Sequence, residues 1–256
     1  MNKYHWKRDL PDIRDHKIRS STNFKLIEPT SIPSLIDLRP KCSPVFDQGD
    51  IGSCTANSLV AALEYLENSQ NELLEDGKFA HLSRIFVYYN ERVIEKDVDK
   101  DNGAQISDGI KVLINIGACV EQDCPYIVTA FAVKPSDAAY QDAVKHRIVG
   151  YARVDQNIDA MKHALASGYP IAFGFEVFDA FESDEVASTG ILNMPGKLEK
   201  NQGGHAVLMV GYDDATQRVL VRNSWGPDWG QGGYFTMPYS YVTNPNLASD
   251  FWCITK

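Results

Sequence analysis

Cys54 lies where its thiol could become a nucleophile. It follows Ser53, a residue type favoured at helix N-caps, and precedes apolar residues with the spacing of an amphipathic helix: Ala56, Leu59, Val60 and Leu63. In the first turn of a helix, unpaired N–H groups and the helix dipole favour a thiolate. Gln48 supplies an amide donor six residues earlier, and this arrangement suits attack on a carbonyl. A buried structural cysteine is the alternative, since free cysteines are often buried.

A histidine and an asparagine far downstream could serve this thiol. Both lie in strand-like runs joined by residues of turn composition, which predicts a hairpin. If Gly211 pairs with Gln217, then His205 lies opposite Asn223 on one face of the hairpin. The Asn223 side chain could then accept the ring N–H of His205 and leave the other ring nitrogen free for the thiol. The same register predicts two further pairs, Met209 with Val219 and Val207 with Val221.

The surrounding elements change character along the chain. The first half predicts helices near 54–67, 83–95 and 108–116, with Ser53, Ser83 and Ser107 as their caps. In the second half, the sequence predicts a short helix that begins at Asn157 and ends before Gly168 and Pro170. Strands follow at 171–178, in the hairpin and at 233–237. An α+β fold with Cys54 on one side of a cleft and His205 with Asn223 on the other is therefore expected.

From about Ile32 onward, the motifs resemble those of the papain family of cysteine peptidases. The matching motifs are Gln48 with Cys54, His205-Ala-Val with a later Gly-Tyr, Asn223-Ser-Trp-Gly, Trp229-Gly230, Gly233-Tyr234 and Pro125-Tyr126. The resemblance implies a papain-like two-lobe fold, with a helical lobe, an antiparallel β-barrel-like lobe and the active-site cleft between them. We expect an N-terminal extension at 1–31, the helical lobe at 32–130 and the strand-rich lobe at 131–256.

The resemblance also implies a reaction. Cys54 and His205 would form a thiolate–imidazolium pair that hydrolyses peptide bonds through a thioester acyl-enzyme. Gln48 and the Cys54 N–H would stabilise the oxyanion, and Asn223 would orient His205. Trp225 would cover the hydrogen bond between His205 and Asn223.

The substrate-binding residues implied by the resemblance begin at Gly103 and Ala104, which correspond to the family's Asn-Gly-Gly segment. Further positions that we expect to contact substrate are Gln105, Ile106, Ala206 and Trp225, and they suggest a modest apolar substrate residue. Two positions depart from the family signature. Ile51 replaces a cysteine, which removes one familiar disulfide, and Thr55 replaces an aromatic residue.

Charge is distributed unevenly. Residues 1–31 contain seven basic and four acidic residues, a net charge of +3, whereas the whole chain carries −9. A basic arm on an acidic body favours self-docking of the N-terminal segment, either as a short latch or strap or as a simple packing extension. An acidic body argues against nucleic acid as a partner. The resemblance to the papain family implies a peptide or protein substrate.

Four cysteines remain beside Cys54. They allow two bridges in three pairings, or none, and we predict reduced thiols: Cys42, Cys119, Cys124 and Cys253. Residues 97–103 imitate a calcium loop, but the glycine falls at the seventh place instead of the sixth. We therefore predict no metal site, and the resemblance calls for no cofactor.

The sequence shows neither a signal-peptide pattern nor an apolar run long enough for a membrane span. We expect no membrane partner, and either a cytoplasmic location or export by a route without a cleavable signal.

Two other classes of function compete with a peptidase. One is a different cysteine acyl-transfer enzyme, such as a deamidase or a transglutaminase-like protein, which would use a closely related triad. The other is a latent or non-catalytic binding protein that retains the cleft. The presence of Gln48, Cys54, His205 and Asn223 together argues against the non-catalytic protein.

Overall fold

The computed structural model describes residues 4–13, 15–70 and 81–256, which form helices and a large antiparallel sheet. The α-helices of the described residues are α1 (Cys54–Ser69), α2 (Arg84–Glu95), α3 (Ile106–Asn115), α4 (Asp137–Ala143), α5 (Ile158–Ala166), α6 (Asp184–Thr189) and α7 (Tyr239–Val242). The strands are β1 (Trp6–Lys7), β2 (Leu35–Asp37), β3 (Ala104–Gln105), β4 (Gly150–Arg153), β5 (Ile171–Phe178), β6 (Asn201–Asp213), β7 (Arg218–Arg222), β8 (Tyr234–Pro238) and β9 (Ala248–Thr255).

The three predicted helices of the first half are present. Ser53 and Ser83 occupy the predicted N-cap positions, but only Ser83 makes a capping hydrogen bond. Ser83 caps α2, because its hydroxyl accepts a hydrogen bond from the Phe86 N–H at 3.1 Å. Ser53 makes no capping bond; its hydroxyl instead lies 2.5 Å from the Tyr126 hydroxyl. Ser107 lies inside α3, which begins at Ile106.

The predicted elements of the second half are also found. Asn157 caps α5 by accepting from the Ala160 N–H at 2.9 Å, as expected. Strand β5 has the predicted bounds, and β8 begins one residue later than predicted.

The large sheet is open within the described part of the chain. Its strand order is β4-β9-β5-β6-β7-β8, and β2 pairs with β6 beside this path. Strands β4 and β8 therefore form its two ends, so the α+β class is confirmed but the expected barrel-like lobe is not a closed barrel. Strand β6 is central because it pairs with β2, β5 and β7.

The predicted register of the hairpin is wrong. Tyr212 pairs with Val219 and Met209 with Val221, and a bulge at Val210 changes the register between these pairs. The turn also lies later than predicted, because the Asp213 carboxylate accepts from the Ala215 N–H at 2.8 Å and stabilises a turn there. Such local side-chain bonds and bulges shift a ladder without changing the apolar pattern.

Strand β6 is buried on both faces, and the core therefore lies on both sides of the sheet. Ala206, Leu208 and Val210 belong to the apolar cluster that includes α1. Val207 and Met209 belong to a second cluster on the opposite face. This arrangement fixes the N-terminus of α1 against one strand of the hairpin, where the candidate site lies.

Candidate active site

Cys54 is the first residue of α1 and is fully buried. The backbone groups of Ala206, His5 and Thr55 lie close enough to its sulfur to lower the pKa of the thiol. Since Ala206 directly follows His205 in β6, the structure brings the start of α1 next to the strand that carries the histidine. Thr55, which replaces the aromatic residue of the family signature, has a hydrogen-bond partner. Its hydroxyl donates to the buried Glu91 carboxyl at 2.8 Å.

Gln48 is fully buried beside the loop that leads into α1. Its side-chain oxygen accepts from the Ser224 hydroxyl at 2.6 Å, and its side-chain nitrogen donates to the Ile51 carbonyl at 2.8 Å. An amide nitrogen carries two hydrogens, so one donor of Gln48 remains after the bond to Ile51.

His205 and Asn223 are hydrogen-bonded although they are not the directly opposed pair that was predicted. Nε2 of His205 lies 2.9 Å from Oδ1 of Asn223, and Nδ1 has no hydrogen-bond partner among the described atoms. Asn223 lies immediately beyond the end of β7. The amide oxygen can only accept, so Nε2 carries the hydrogen and Nδ1 is the nitrogen available to another group.

Trp225 covers this pair, as expected. Its ring stacks on the His205 ring with a centroid distance of 5.2 Å and an interplanar angle of 25°. The Phe181 ring packs against the Trp225 ring with a centroid distance of 5.0 Å. These aromatic rings exclude water from the hydrogen bond between His205 and Asn223.

The loop between Gln48 and Cys54 is held by side chains from outside it. The Tyr126 hydroxyl donates to the Gln48 carbonyl at 2.9 Å and lies 2.5 Å from the Ser53 hydroxyl. Asp101 accepts from the Gly52 N–H at 2.8 Å. Sequence reasoning noted Tyr126 only as part of a motif and missed Asp101, because such loop-to-loop contacts leave no local pattern.

Burial controls the charge of the two reactive groups. It raises the pKa of the Cys54 thiol to about 11, although backbone hydrogen bonds lower it. It lowers the pKa of His205 to about 4, and the bond to Asn223 acts in the opposite direction. With both groups shielded from water, burial outweighs the effect of the helix N-terminus and favours a neutral thiol and a neutral imidazole.

The first described residues lie against the expected substrate-binding segment. We refer to residues 4–10 as the N-terminal strap. Trp6 pairs with Ala104 and Lys7 with Gln105 in a short parallel ladder, while His5 bridges to Gly204 of β6.

The expected substrate-binding residues lie beside this strap or beneath it. A β-carbon at position 103 would lie 1.7 Å from the His5 carbonyl oxygen, so the backbone approach there requires Gly103. The Gln105 side chain donates to the Arg8 carbonyl at 2.8 Å. Ile106 and Ala206 are buried.

Two glycines that sequence reasoning missed make room for the Trp6 side chain. A β-carbon at position 174 would come within 1.9 Å of the Trp6 ring, and one at position 204 would come within 2.5 Å. Trp6 is consequently only 6% exposed. Glycine inside a strand often marks such a close approach, so Gly174 within β5 was the available signal.

The strap ends at a cluster of charges. The Asp9 carboxylate accepts from the Trp252 indole N–H at 2.7 Å, and the Asp9 N–H donates to the Asp250 carboxylate at 2.8 Å. Arg153 contacts three carboxylates, those of Asp15 at 2.6 Å, Asp9 at 3.3 Å and Asp250 at 3.4 Å. Burial raises the pKa of Asp9, and it raises that of Asp250 to about 6.

Comparison with known proteins identifies the family of the chain. The model of the papain family of cysteine proteases matches residues 32–253. The chain belongs to the papain family of cysteine proteases. It is therefore a papain-like cysteine peptidase, a hydrolase.

Three relatives illustrate the similarity. An uncharacterised peptidase C1-like protein of Acanthamoeba polyphaga mimivirus is 43% identical over 96% of this chain and 84% of its own length. The crystal structure of xylellain, a cysteine protease from Xylella fastidiosa, is 40% identical with a TM-score of 0.90, covering 99% of this chain and 96% of that one. The Carica candamarcensis cysteine protease CMS1MS2, solved in complex with E-64, is 27% identical with a TM-score of 0.66, covering 88% and 99% of the two chains.

No helix in the described part of the chain is both long and apolar enough to cross a membrane.

Tyr126→Phe tests the support of the loop before Cys54. Loss of the hydroxyl leaves the Gln48 carbonyl and the Ser53 hydroxyl without this partner, so we expect kcat to fall about tenfold, or about 1.4 kcal/mol of barrier. Tyr140→Phe is the matched control, because its hydroxyl donates to Asn90 at 2.9 Å in a different part of the fold. Steady-state kinetics and thermal unfolding should show a similar stability loss in both variants but a kcat loss only in Tyr126→Phe. Equal kcat values would contradict this role.

Proposed function

We propose that Cys54 is the nucleophile of this peptidase, with His205 as its acid–base partner and Asn223 as the residue that orients the ring. The observation that supports this most strongly is the 2.9 Å bond between His205 Nε2 and Asn223, which leaves Nδ1 free. Attack of the thiolate on a peptide carbonyl gives a tetrahedral intermediate, and His205 then protonates the leaving amine. Water hydrolyses the resulting thioester.

Gln48 would stabilise the oxyanion of that intermediate. One of its side-chain hydrogens is not used by Ile51, and the backbone N–H of Cys54 can act beside it. The bond from Ser224 fixes the orientation of the Gln48 amide, because the oxygen accepts and the nitrogen must then point towards the loop. Loss of one such donor typically costs about 3 to 4 kcal/mol of barrier.

The N-terminal strap acts as a latch in this proposal. It covers the substrate-binding segment through the pairing of Trp6 with Ala104, and ion pairs fasten it to both halves of the chain, including Lys7 with Glu95 and Arg8 with Glu176. The basic strap thereby meets acidic partners on the body. A peptide substrate would have to displace it.

The docked strap lies directly beside Cys54. The His5 carbonyl oxygen faces Gly103, and the His5 backbone lies close enough to the Cys54 sulfur to lower its pKa. Release of the strap would return water to Cys54 and His205, which lowers the pKa of the thiol, raises that of the imidazole and favours the thiolate–imidazolium pair.

Cys54→Ala tests the reaction itself. We expect kcat/KM for peptide hydrolysis to fall at least about 10⁴-fold, because the variant has no nucleophile. Cys42→Ala is the control, since Cys42 is a half-buried thiol that the reaction does not use. Mass spectrometry of mixed peptides should show new termini with the wild type. A small mass gain at Gln without chain cleavage would instead indicate a deamidase, and undiminished hydrolysis by Cys54→Ala would exclude the proposed nucleophile.

Trp6→Ala tests the latch. Removal of a buried tryptophan typically costs about 3 to 5 kcal/mol, so we expect the strap to open more often and E-64 to alkylate Cys54 at least tenfold faster than in the wild type. Leu10→Ala is the control, because Leu10 belongs to the same strap but is 76% exposed. An alkylation rate in Trp6→Ala equal to that of the wild type would show that the strap does not limit access to Cys54.

The charge cluster at Asp9 makes the latch sensitive to pH. The pKa of Asp250 rises from an ordinary value of 3.8 to about 6 with the strap docked, and that of Asp9 rises as well, since burial penalises both charges. Docking is therefore strongest below about pH 4 and weakens as the pH rises through about 6. Arg153 and the Trp252 N–H oppose this effect, but Arg153 is shared among the carboxylates of Asp9, Asp15 and Asp250.

Asp250→Asn tests this pH dependence. Asparagine tolerates the left-handed backbone at this position, where φ is +59°, and it removes the titrating carboxyl. Between pH 4 and pH 6 we expect the E-64 alkylation rate of the wild type to rise about tenfold relative to that of Asp250→Asn. A ratio that stays constant over this range would contradict the effect of Asp250 on docking.

A further inference from the structure

Cys119 and Cys124 form a pair of thiols that the proposed reaction does not use. Each thiol shifts the pKa of the other, which places the two side chains next to one another. Cys119 is fully buried, whereas Cys124 is half-buried. Both are free thiols in the structure.

The backbone holds these two cysteines close together. The Ser83 N–H donates to the Cys119 carbonyl at 2.8 Å, and the Ser83 hydroxyl donates to the Cys124 carbonyl at 2.6 Å. A turn between them is closed by the Asp123 N–H, which donates to the Val120 carbonyl at 3.1 Å. One serine at the start of α2 thus fixes both ends of the segment that separates the thiols.

The two thiols differ in acidity. The neighbouring Cys119 thiol lowers the pKa of Cys124 to about 7, with burial acting against it and Ser83 acting with it. The same contact, together with burial, raises the pKa of Cys119. Cys124 is therefore the more acidic of the two thiols, and it belongs to a half-buried residue next to the buried Cys119.

The other three cysteines lack these properties. Burial raises the pKa of each of them: Cys42, Cys54 and Cys253. The Cys42 thiol donates to the Leu38 carbonyl at 3.6 Å, and the Cys253 thiol donates to the Tyr169 carbonyl at 4.0 Å. Of the five cysteines, Cys124 is thus the one whose pKa is lowered, which favours its reaction with an oxidising reagent at neutral pH.

We propose that Cys119 and Cys124 are a reversible dithiol–disulfide site, separate from the Cys54 nucleophile. The oxidant is a low-molecular-weight disulfide such as oxidised glutathione. The Cys124 thiolate attacks one of its sulfurs, forms a mixed disulfide and releases one glutathione thiolate. Cys119 loses its proton to solvent and attacks the Cys124 sulfur, which releases the second glutathione. Two protein thiols are oxidised, and one disulfide is reduced to two thiols.

The bridge would form beside the support of the active-site loop. Cys124 lies two residues before Tyr126, whose hydroxyl donates to the Gln48 carbonyl. Closing this short loop restricts the unfolded chain, so we expect the oxidised protein to unfold about 4 °C higher than the reduced protein.

The test uses the full chain with oxidised glutathione at pH 7.5, followed by alkylation under denaturing conditions and peptide mapping by mass spectrometry. We expect to find a peptide that contains a disulfide bond between Cys119 and Cys124, and this bond should disappear on treatment with dithiothreitol. The other three cysteines should be alkylated. Cys119→Ser should accumulate glutathione on Cys124, whereas Cys124→Ser should form neither the bridge nor an adduct on Cys119. Cys42→Ser is the matched control and should form the bridge like the wild type.

Three results would overturn the proposal. In the first, all five cysteines stay reduced under conditions that oxidise a peptide thiol. In the second, glutathione stays attached to Cys124 of the wild type. In the third, Cys119 forms a disulfide with a cysteine other than Cys124. Circular dichroism and thermal unfolding verify that each variant is folded. If Cys119→Ser does not fold, Cys119→Ala removes the same thiol without adding a hydroxyl, and the wild-type peptide map still decides between the outcomes.

Discussion

The hydrogen bond between His205 and Asn223 is the interaction on which the candidate site depends. Because the Asn223 oxygen accepts at 2.9 Å from Nε2, the neutral ring is left with an unprotonated Nδ1, the nitrogen that the proposed mechanism requires. This assignment rests on the sheet. The bulge at Val210 sets the register of β6 against β7, and Trp225 stacks on the ring so that it cannot turn freely. The register of one hairpin is therefore a constraint on the proposed chemistry.

Burial links that chemistry to the N-terminal strap. Cys54 and His205 are both inaccessible to water, and burial shifts their pKa values in opposite directions, so that the neutral forms of both are favoured. In the proposed mechanism, the same strap that blocks substrate also holds the reactive pair uncharged. Access of substrate and formation of the ion pair would then follow from one event, the return of water when Trp6 leaves its place against Gly174.

Local patterns predicted much of the fold, whereas long-range contacts were harder to foresee. The spacing of apolar residues predicted α1, which buries a continuous stripe, and β5, which is a continuous buried run. The register of the hairpin was wrong, since a bulge at Val210 and a turn stabilised by Asp213 do not alter the apolar pattern. The charge of residues 1–31 suggested docking, but nothing local indicated that Trp6 would pair with β3, since such pairing depends on glycines far along the chain.

Nitrogen-15 NMR of the His205 ring in the full-length protein tests the central claim most directly. The structure predicts a neutral ring above about pH 5, with Nε2 protonated and Nδ1 unprotonated, because Asn223 accepts from Nε2 and burial lowers the pKa to about 4. Asn223→Ala should lose this preference and show both tautomers. A ring in the wild type that carries its hydrogen on Nδ1, or on both nitrogens at neutral pH, would contradict the account.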